Sequence, residues 1–118
     1  MLLVWYPRCS TCQKAKKFLE SKNISFDLRD IVLEKLNEEE LRKYIKLSNL
    51  EINKFFNTSG MKYRELKLKD KLKDMTDKEK IALLASDGML VKRPILIDNN
   101  KVLIGFKEKE WSELNENN

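Results

Sequence analysis

The sequence predicts an α/β fold: a βαβ unit at the front, an all-helical stretch in the middle and a ββα unit at the back, all within a single domain of 118 residues. Three observations predict it. An apolar run from Leu2 to Tyr6 leads into a stretch with helical spacing and then into an alternating one. Residues 35–88 carry helix caps and apolar positions three and four apart, with no strand pattern. Two short apolar runs then flank the turn dipeptide Asn99-Asn100.

Taken in order, Leu2, Leu3, Val4, Trp5 and Tyr6 read as a buried strand ended by Pro7. Cys12, Ala15, Phe18 and Leu19 then lie on one side of a helix expected from about Ser10 to Lys22. Phe26 and Leu28 alternate with Asp27 and Arg29, so Ser25 to Asp30 reads as a second strand, parallel to the first through a right-handed crossover. Asn37 with Glu40 resembles a capping box ahead of Leu41, Tyr44, Ile45 and Leu47. Leu50, Ile52, Phe55 and Phe56 suggest a short helix ending near Ser59-Gly60, and Tyr63, Leu66 and Leu68 continue the helical periodicity. Thr76 with Glu79 caps a further helix through Ile81, Leu83, Leu84 and Ala85, for which Gly88 is the expected stop. Pro94 to Asp98 and then Val102, Leu103 and Ile104 form a hairpin, and Lys107 to Asn115 carries Trp111 and Leu114 at helical spacing.

Composition narrows the function classes. With 42% hydrophobic and 36% charged residues the chain reads as a soluble globular protein, and no apolar run approaches the roughly 20 residues of a membrane span. No basic stretch precedes Leu2 to Tyr6, which is too brief for a signal-peptide core, so the expected location is the reducing cytoplasm. The net charge of +5 is a small difference between 24 basic and 19 acidic side chains. Lys69, Lys71 and Lys73 are interleaved with Asp70 and Asp74 rather than forming a single-sign stripe, which argues against direct nucleic-acid binding. A monomer is expected.

The chemistry concentrates in RCSTCQ, Arg8 to Gln13. A structural zinc normally takes four Cys or His ligands; this chain has Cys9, Cys12 and no histidine, which leaves only a site shared between subunits. A structural disulfide here would close a tiny loop and constrain little of the unfolded chain. Two readings remain: a redox pair, or two small buried hydrophobes at a helix start. The order βαβ, helices, ββα is that of a thioredoxin or glutaredoxin core, and C-x-x-C after the first strand is where such a core does thiol chemistry. Cys9 would then sit at the helix N-terminus, where backbone N–H groups, the helix dipole, Arg8 and Lys14 favour the thiolate. Cys12, one turn on, would be the resolving thiol. Arg93, before Pro94, is a candidate to hold a thiolate or an oxyanion, or is simply a solvated arginine ahead of a strand. From the residues alone the Arg93–Pro94 bond is expected trans.

The stretches YPRCSTCQKAKKFL (6–19), SGMKYRELKL (59–68) and LVKRPILID (90–98) resemble the arsenate reductase (ArsC) and Spx family of glutaredoxin-like proteins, and the order of elements agrees over essentially the whole chain. The resemblance implies a thioredoxin-like core at about 1–34 and 89–118 with a helical insertion at about 35–88, Cys9 as the active cysteine, Arg93 beside the active site and Pro94 as a cis-proline. It also implies substrate contacts for the residues flanking the thiols and opening the later strand: Arg8, Ser10, Thr11, Arg93 and Pro94. Glutaredoxin-dependent arsenate reductases hold their oxyanion with three arginines; here Asn57 stands in the place of the first and Gly105 in that of the last, leaving Arg93. Those reductases also tend to lack the second cysteine. The C-x-x-C form is more like the Spx branch, whose members regulate transcription by binding the RNA polymerase alpha subunit, although the chain is shorter and Glu51 stands where they carry a glycine at the polymerase contact. The expected function is a thiol-disulfide oxidoreductase with no bound cofactor and an external donor such as glutaredoxin with glutathione, or thioredoxin. The alternatives are a redox-sensing regulator that binds polymerase and an arsenate reductase.

Overall fold

The computed structural model describes residues 1–114, and Asn115, the expected end of the last helix, lies outside them. Strands β1 (Leu2–Trp5), β2 (Asp27–Asp30), β3 (Ile95–Asp98) and β4 (Lys101–Ile104) form one sheet in the order β2-β1-β3-β4. The helices are α1 (Ser10–Ser21), α2 (Glu38–Ser48), α3 (Met61–Glu65), α4 (Leu68–Lys71), α5 (Asp77–Ser86) and α6 (Glu108–Trp111), with 3₁₀ turns at Ile52–Phe55, Leu72–Asp74 and Gly88–Leu90. β1 pairs parallel with β2 and antiparallel with β3, which pairs antiparallel with β4.

The register explains the layers. Leu3 stands opposite Leu96, which stands opposite Leu103, while Val4, Ile95 and Ile104 form the adjacent row. Side chains alternate across a sheet, so the two rows face opposite ways. The first row packs with Ala15 and Leu19 of α1 and with Trp111 of α6. The second packs with Leu41, Tyr44, Phe55, Phe56, Leu72 and Leu84 from the helices between β2 and β3. The sheet is therefore a central layer with α1 and α6 on one face and the inserted helices on the other.

Several expectations need correction. β1 ends at Trp5, one residue before Tyr6, and β2 begins at Asp27 rather than Ser25. Leu28 is 42% exposed because β2 is the sheet edge and no helix covers that position. The periodicity through Tyr63, Leu66 and Leu68 is broken at Lys67, whose φ of 53° separates α3 from α4 and leaves Leu66 exposed. Gly88 is not a left-handed helix stop. It opens a 3₁₀ turn, and a Cβ there would lie 2.1 Å from the Ile31 carbonyl oxygen, so glycine is needed for the approach of this turn to the end of β2. The Arg93–Pro94 bond is cis, not trans: the composition of the dipeptide carries no signal for the isomer, which the surrounding fold selects.

Candidate active site

The sequence leaves the N-terminus of α1 to a sulfur. Cys9 is the N-cap, with extended backbone (φ −89°, ψ 118°), and its Sγ accepts the Cys12 N–H at 3.4 Å. The first turn of α1 contains no acidic residue, so no carboxylate competes for the positive end of the dipole. The loop before it is held by Cys9 N–H to the Tyr6 carbonyl at 3.0 Å and by Gln13 Nε2 to the Pro7 carbonyl at 2.7 Å.

The two thiols are free and unequal. Cys9 is partly exposed, whereas Cys12 is fully buried. Burial pushes the Cys12 thiol up to about 12, an effect augmented by its hydrogen bond and charge interaction with Cys9 and opposed by the Tyr6 backbone and by the positive charge of Arg93. Cys12 is therefore a protonated thiol beside the Cys9 sulfur across the neutral range.

Arg93 comes from the segment that leads into β3, the strand paired directly with β1. Lys92 N–H donates to the Phe55 carbonyl and Asn57 N–H to the Leu90 carbonyl, each at 2.8 Å, around an isolated bridge between Phe56 and Val91. This pairing ties the inserted helices to the segment that enters the cis-proline. The Arg93 guanidinium lies 5.2 Å over the Tyr6 ring, spanning from β3 to the cysteine loop. Its Nη1 makes long contacts to the Met89 and Val91 carbonyls, 3.5 and 3.4 Å, and its buried Nε has no hydrogen-bond partner.

Beside it lies a cavity of about 260 Å³, lined among others by Thr11, Asn57, Lys92, Arg93, Gly105 and Lys107. Of the expected substrate-contacting residues, Thr11 and Arg93 line it. Arg8 and Ser10 are exposed elsewhere, and Pro94 is buried, its carbonyl accepting the Gly105 N–H at 2.8 Å. Asn57, Arg93 and Gly105, far apart in sequence, meet at this one cavity. Sequence reasoning assigned no role to Thr58, Ser59, Lys92, Phe106 or Lys107; Ser59 and Lys92 lie within the stretches that carry the family resemblance, and the adjacency of Lys92 to Arg93 was the one further hint. Gly105 has φ +73°, and the position a Cβ would take lies 3.1 Å from Lys92 Cε, so a lysine side chain covers the glycine. The cavity is more cationic than its single arginine suggests. Among the described residues, no group of three or more His, Cys, Asp or Glu side chains is placed to hold a metal, and no helix is long and apolar enough to cross a membrane.

A thioredoxin-like α/β sheet with an inserted helical unit, a C-x-x-C at the first helix and a cis-proline opening a later strand define the class. The chain belongs to the ArsC family, whose model matches residues 4–114. It is 51% identical over 109 residues to the uncharacterized protein YusI of Bacillus subtilis, covering 92% of each chain. It is 33% identical to the regulatory protein MgsR of the same organism, covering 92% of this chain and 85% of that one. Among solved structures, an ArsC-family-related protein of Bacteroides fragilis superposes with a TM-score of 0.92 at 54% identity, covering 95% of this chain and 94% of that one. A Streptococcus mutans protein described as a possible arsenate reductase gives a TM-score of 0.85 at 41% identity, covering 94% and 96%.

Proposed function

We propose that the chain is a thiol-disulfide oxidoreductase of the ArsC family, with Cys9 as nucleophile and Cys12 as resolving thiol. The asymmetry of the two sulfurs carries this reading: one is partly exposed and receives a helix N–H, the other is buried and held protonated. The Cys9 thiolate attacks one sulfur of an oxidised substrate disulfide, forming a mixed disulfide and expelling the other sulfur as a thiolate, which takes a proton from solvent. Cys12 then loses its proton and attacks the Cys9 sulfur, releasing the second substrate thiol and leaving a Cys9–Cys12 disulfide. Once Cys9 is in a mixed disulfide its negative charge is gone, so one of the influences that raise the Cys12 thiol is removed while Arg93 still favours its ionisation. An external dithiol such as thioredoxin, or glutathione with glutaredoxin, returns two electrons and two protons.

The test is coupled turnover of hydroxyethyl disulfide and of a glutathionylated peptide with each donor system. Cys9→Ser should abolish turnover while leaving stability within about 1 kcal/mol, because a serine oxygen can take over the N-cap. Absence of turnover with every donor would overturn the reading.

The relationship to MgsR, named a regulatory protein, and to Spx, named a global transcriptional regulator, supports a second reading, a redox-sensing regulator; the resemblance to the Spx branch suggests the RNA polymerase alpha subunit as its partner. Glu51, at the start of the Ile52–Phe55 turn, is exposed where the Spx branch carries a glycine at its polymerase contact, and this departure counts against the second reading. Polymerase binding that changes on oxidation, without turnover, would select it.

A further inference from the structure

The Arg93 cavity shares wall residues with two neighbours. One of about 400 Å³ shares Thr58 and Lys92 with it as walls and extends over the inserted helices to Lys54, Lys69 and Lys73. Another of about 230 Å³ shares Lys92 and Lys107 with it and includes Lys54. Lys92 stands at the junction of all three. The walls present the cations Lys54, Lys69, Lys73, Lys92, Arg93 and Lys107 against the carboxylates of Glu51 and Glu110. None of these six cations takes part in the ion pairs found among the described residues, which involve Lys16, Arg29, Arg42 and Lys62.

Resting on the thiol-disulfide reading, we propose that this trench is the docking surface for an acidic polypeptide segment, so that the substrates are proteins whose oxidised cysteine lies within a run of Asp and Glu. Charge complementarity selects the sign of the occupant: an excess of unpaired lysines concentrates carboxylates and steers their approach. The floor selects a polypeptide over a nucleic acid. Phe56 is buried and Tyr63 and Phe106 are half-buried, so no fully exposed aromatic offers a stacking platform for bases, while the accessible part of Tyr63 provides an apolar footing for a side chain. The acidic Glu51 and Glu110 interrupt the cations in a way that a regular phosphate backbone does not match. The trench reaches Thr11, which lies between Cys9 and Cys12 in sequence; neither cysteine lines any of the three cavities, so a docked segment is brought beside the thiols rather than onto them.

The test uses the full chain with a fluorescein-labelled, cysteine-free acidic peptide, its lysine counterpart and a single-stranded oligonucleotide, read by anisotropy. The acidic peptide should bind at least tenfold more tightly than either control, and added salt should weaken it. Lys69→Glu with Lys73→Glu should lower that affinity about tenfold, as reversal of two exposed charges does, and leave reduction of hydroxyethyl disulfide unchanged. The same reversal at Lys35 and Lys43, exposed residues that line none of the three cavities, should change neither. Equal binding of all three probes, tighter binding of the oligonucleotide, or an equal loss in the Lys35 and Lys43 variant would overturn the proposal. If hydroxyethyl disulfide is not reduced at all, the thiol reading fails, while the peptide arm still decides whether the trench binds acidic segments.

Discussion

Two regions of this molecule use the same parts, a helix N-cap and a half-buried arginine, and finish them differently. Where β2 meets α2, Asn37 caps the helix, Glu40 returns the hydrogen bond to complete a capping box, and Arg29 grips both Glu40 oxygens at 2.6 and 3.0 Å. The same arginine donates to the Glu34 and Lys35 carbonyls, so every guanidinium nitrogen is bonded. Where the cysteine loop meets β3, the cap is a sulfur with a 3.4 Å contact, no carboxylate answers it, and Arg93 keeps long contacts and an unpartnered Nε. A buried polar group left short of partners costs stability. The first region has the signature of a fastener. The second keeps donors and a sulfur in reserve, as expected of a site completed by a substrate.

The sharpest way to break the comparison is to remove each arginine. Arg93→Ala should lower coupled disulfide turnover by about 10²-fold, since a preorganised charged donor at a reacting site is commonly worth that much, with little change in stability. Arg29→Ala should do the opposite: turnover per folded molecule unchanged, and stability lower by about 2 kcal/mol, the worth of hydrogen bonds to a charged partner. Thermal unfolding should register this as a Tm lower by roughly 8 °C. Similar effects of both substitutions on turnover and on Tm would erase the distinction.

A smaller effect concerns arsenate. Lys92 and Lys107 keep the cavity cationic, but lysine is a point charge and lacks the bidentate fork that grips an oxyanion. The unmodified chain should therefore reduce arsenate much more slowly than disulfides. Asn57→Arg should raise arsenate reduction about tenfold by adding a fork. Gly105→Arg should not help, because its φ of +73° and the Lys92 side chain over it oppose any side chain there. Brisk arsenate reduction by the unmodified chain would contradict this ranking.

The pH dependence of stability runs in opposite directions in the two regions. Arg29 holds the Glu40 carboxyl below the usual glutamate range, so its contribution is present above that range and is lost as pH falls. Cys12 is raised from 9.0 to about 12, so the folded state keeps a proton that the unfolded chain releases; its contribution is full below pH 9 and is lost as pH rises towards 12. Chemical denaturation across pH should show both limbs, with Cys12→Ala flattening the alkaline one and Arg29→Ala the acidic one.

The contrast also explains what could be read from sequence. Both capping boxes, the βαβ start, the hairpin at Asn99-Asn100 and the C-x-x-C at a helix N-terminus were legible, because each depends on residues within a few positions of one another. The break at Lys67 was not, since it is a lysine, rather than a glycine or asparagine, that adopts the left-handed conformation there. The covering of Gly105 by Lys92 and the shared trench depend on how the proline loop folds back along β4, and no local pattern encodes that. Arg93 was singled out by its neighbour Pro94 and by resemblance, whereas its unsatisfied Nε is visible only in three dimensions.

The central claim is that Cys9 attacks and Cys12 resolves, and competitive alkylation followed by peptide mass spectrometry tests it most directly. At neutral pH with limiting iodoacetamide, the reduced chain should be modified first at Cys9, because Cys12 is buried and its thiol pushed up to about 12. Cys12→Ser should then trap a stable mixed disulfide on Cys9, and mild oxidation of the unmodified chain should form a Cys9–Cys12 bond that dithiothreitol reverses. Modification of Cys12 ahead of Cys9, or a mixed disulfide trapped on Cys12 in the Cys9→Ser variant alone, would contradict the account.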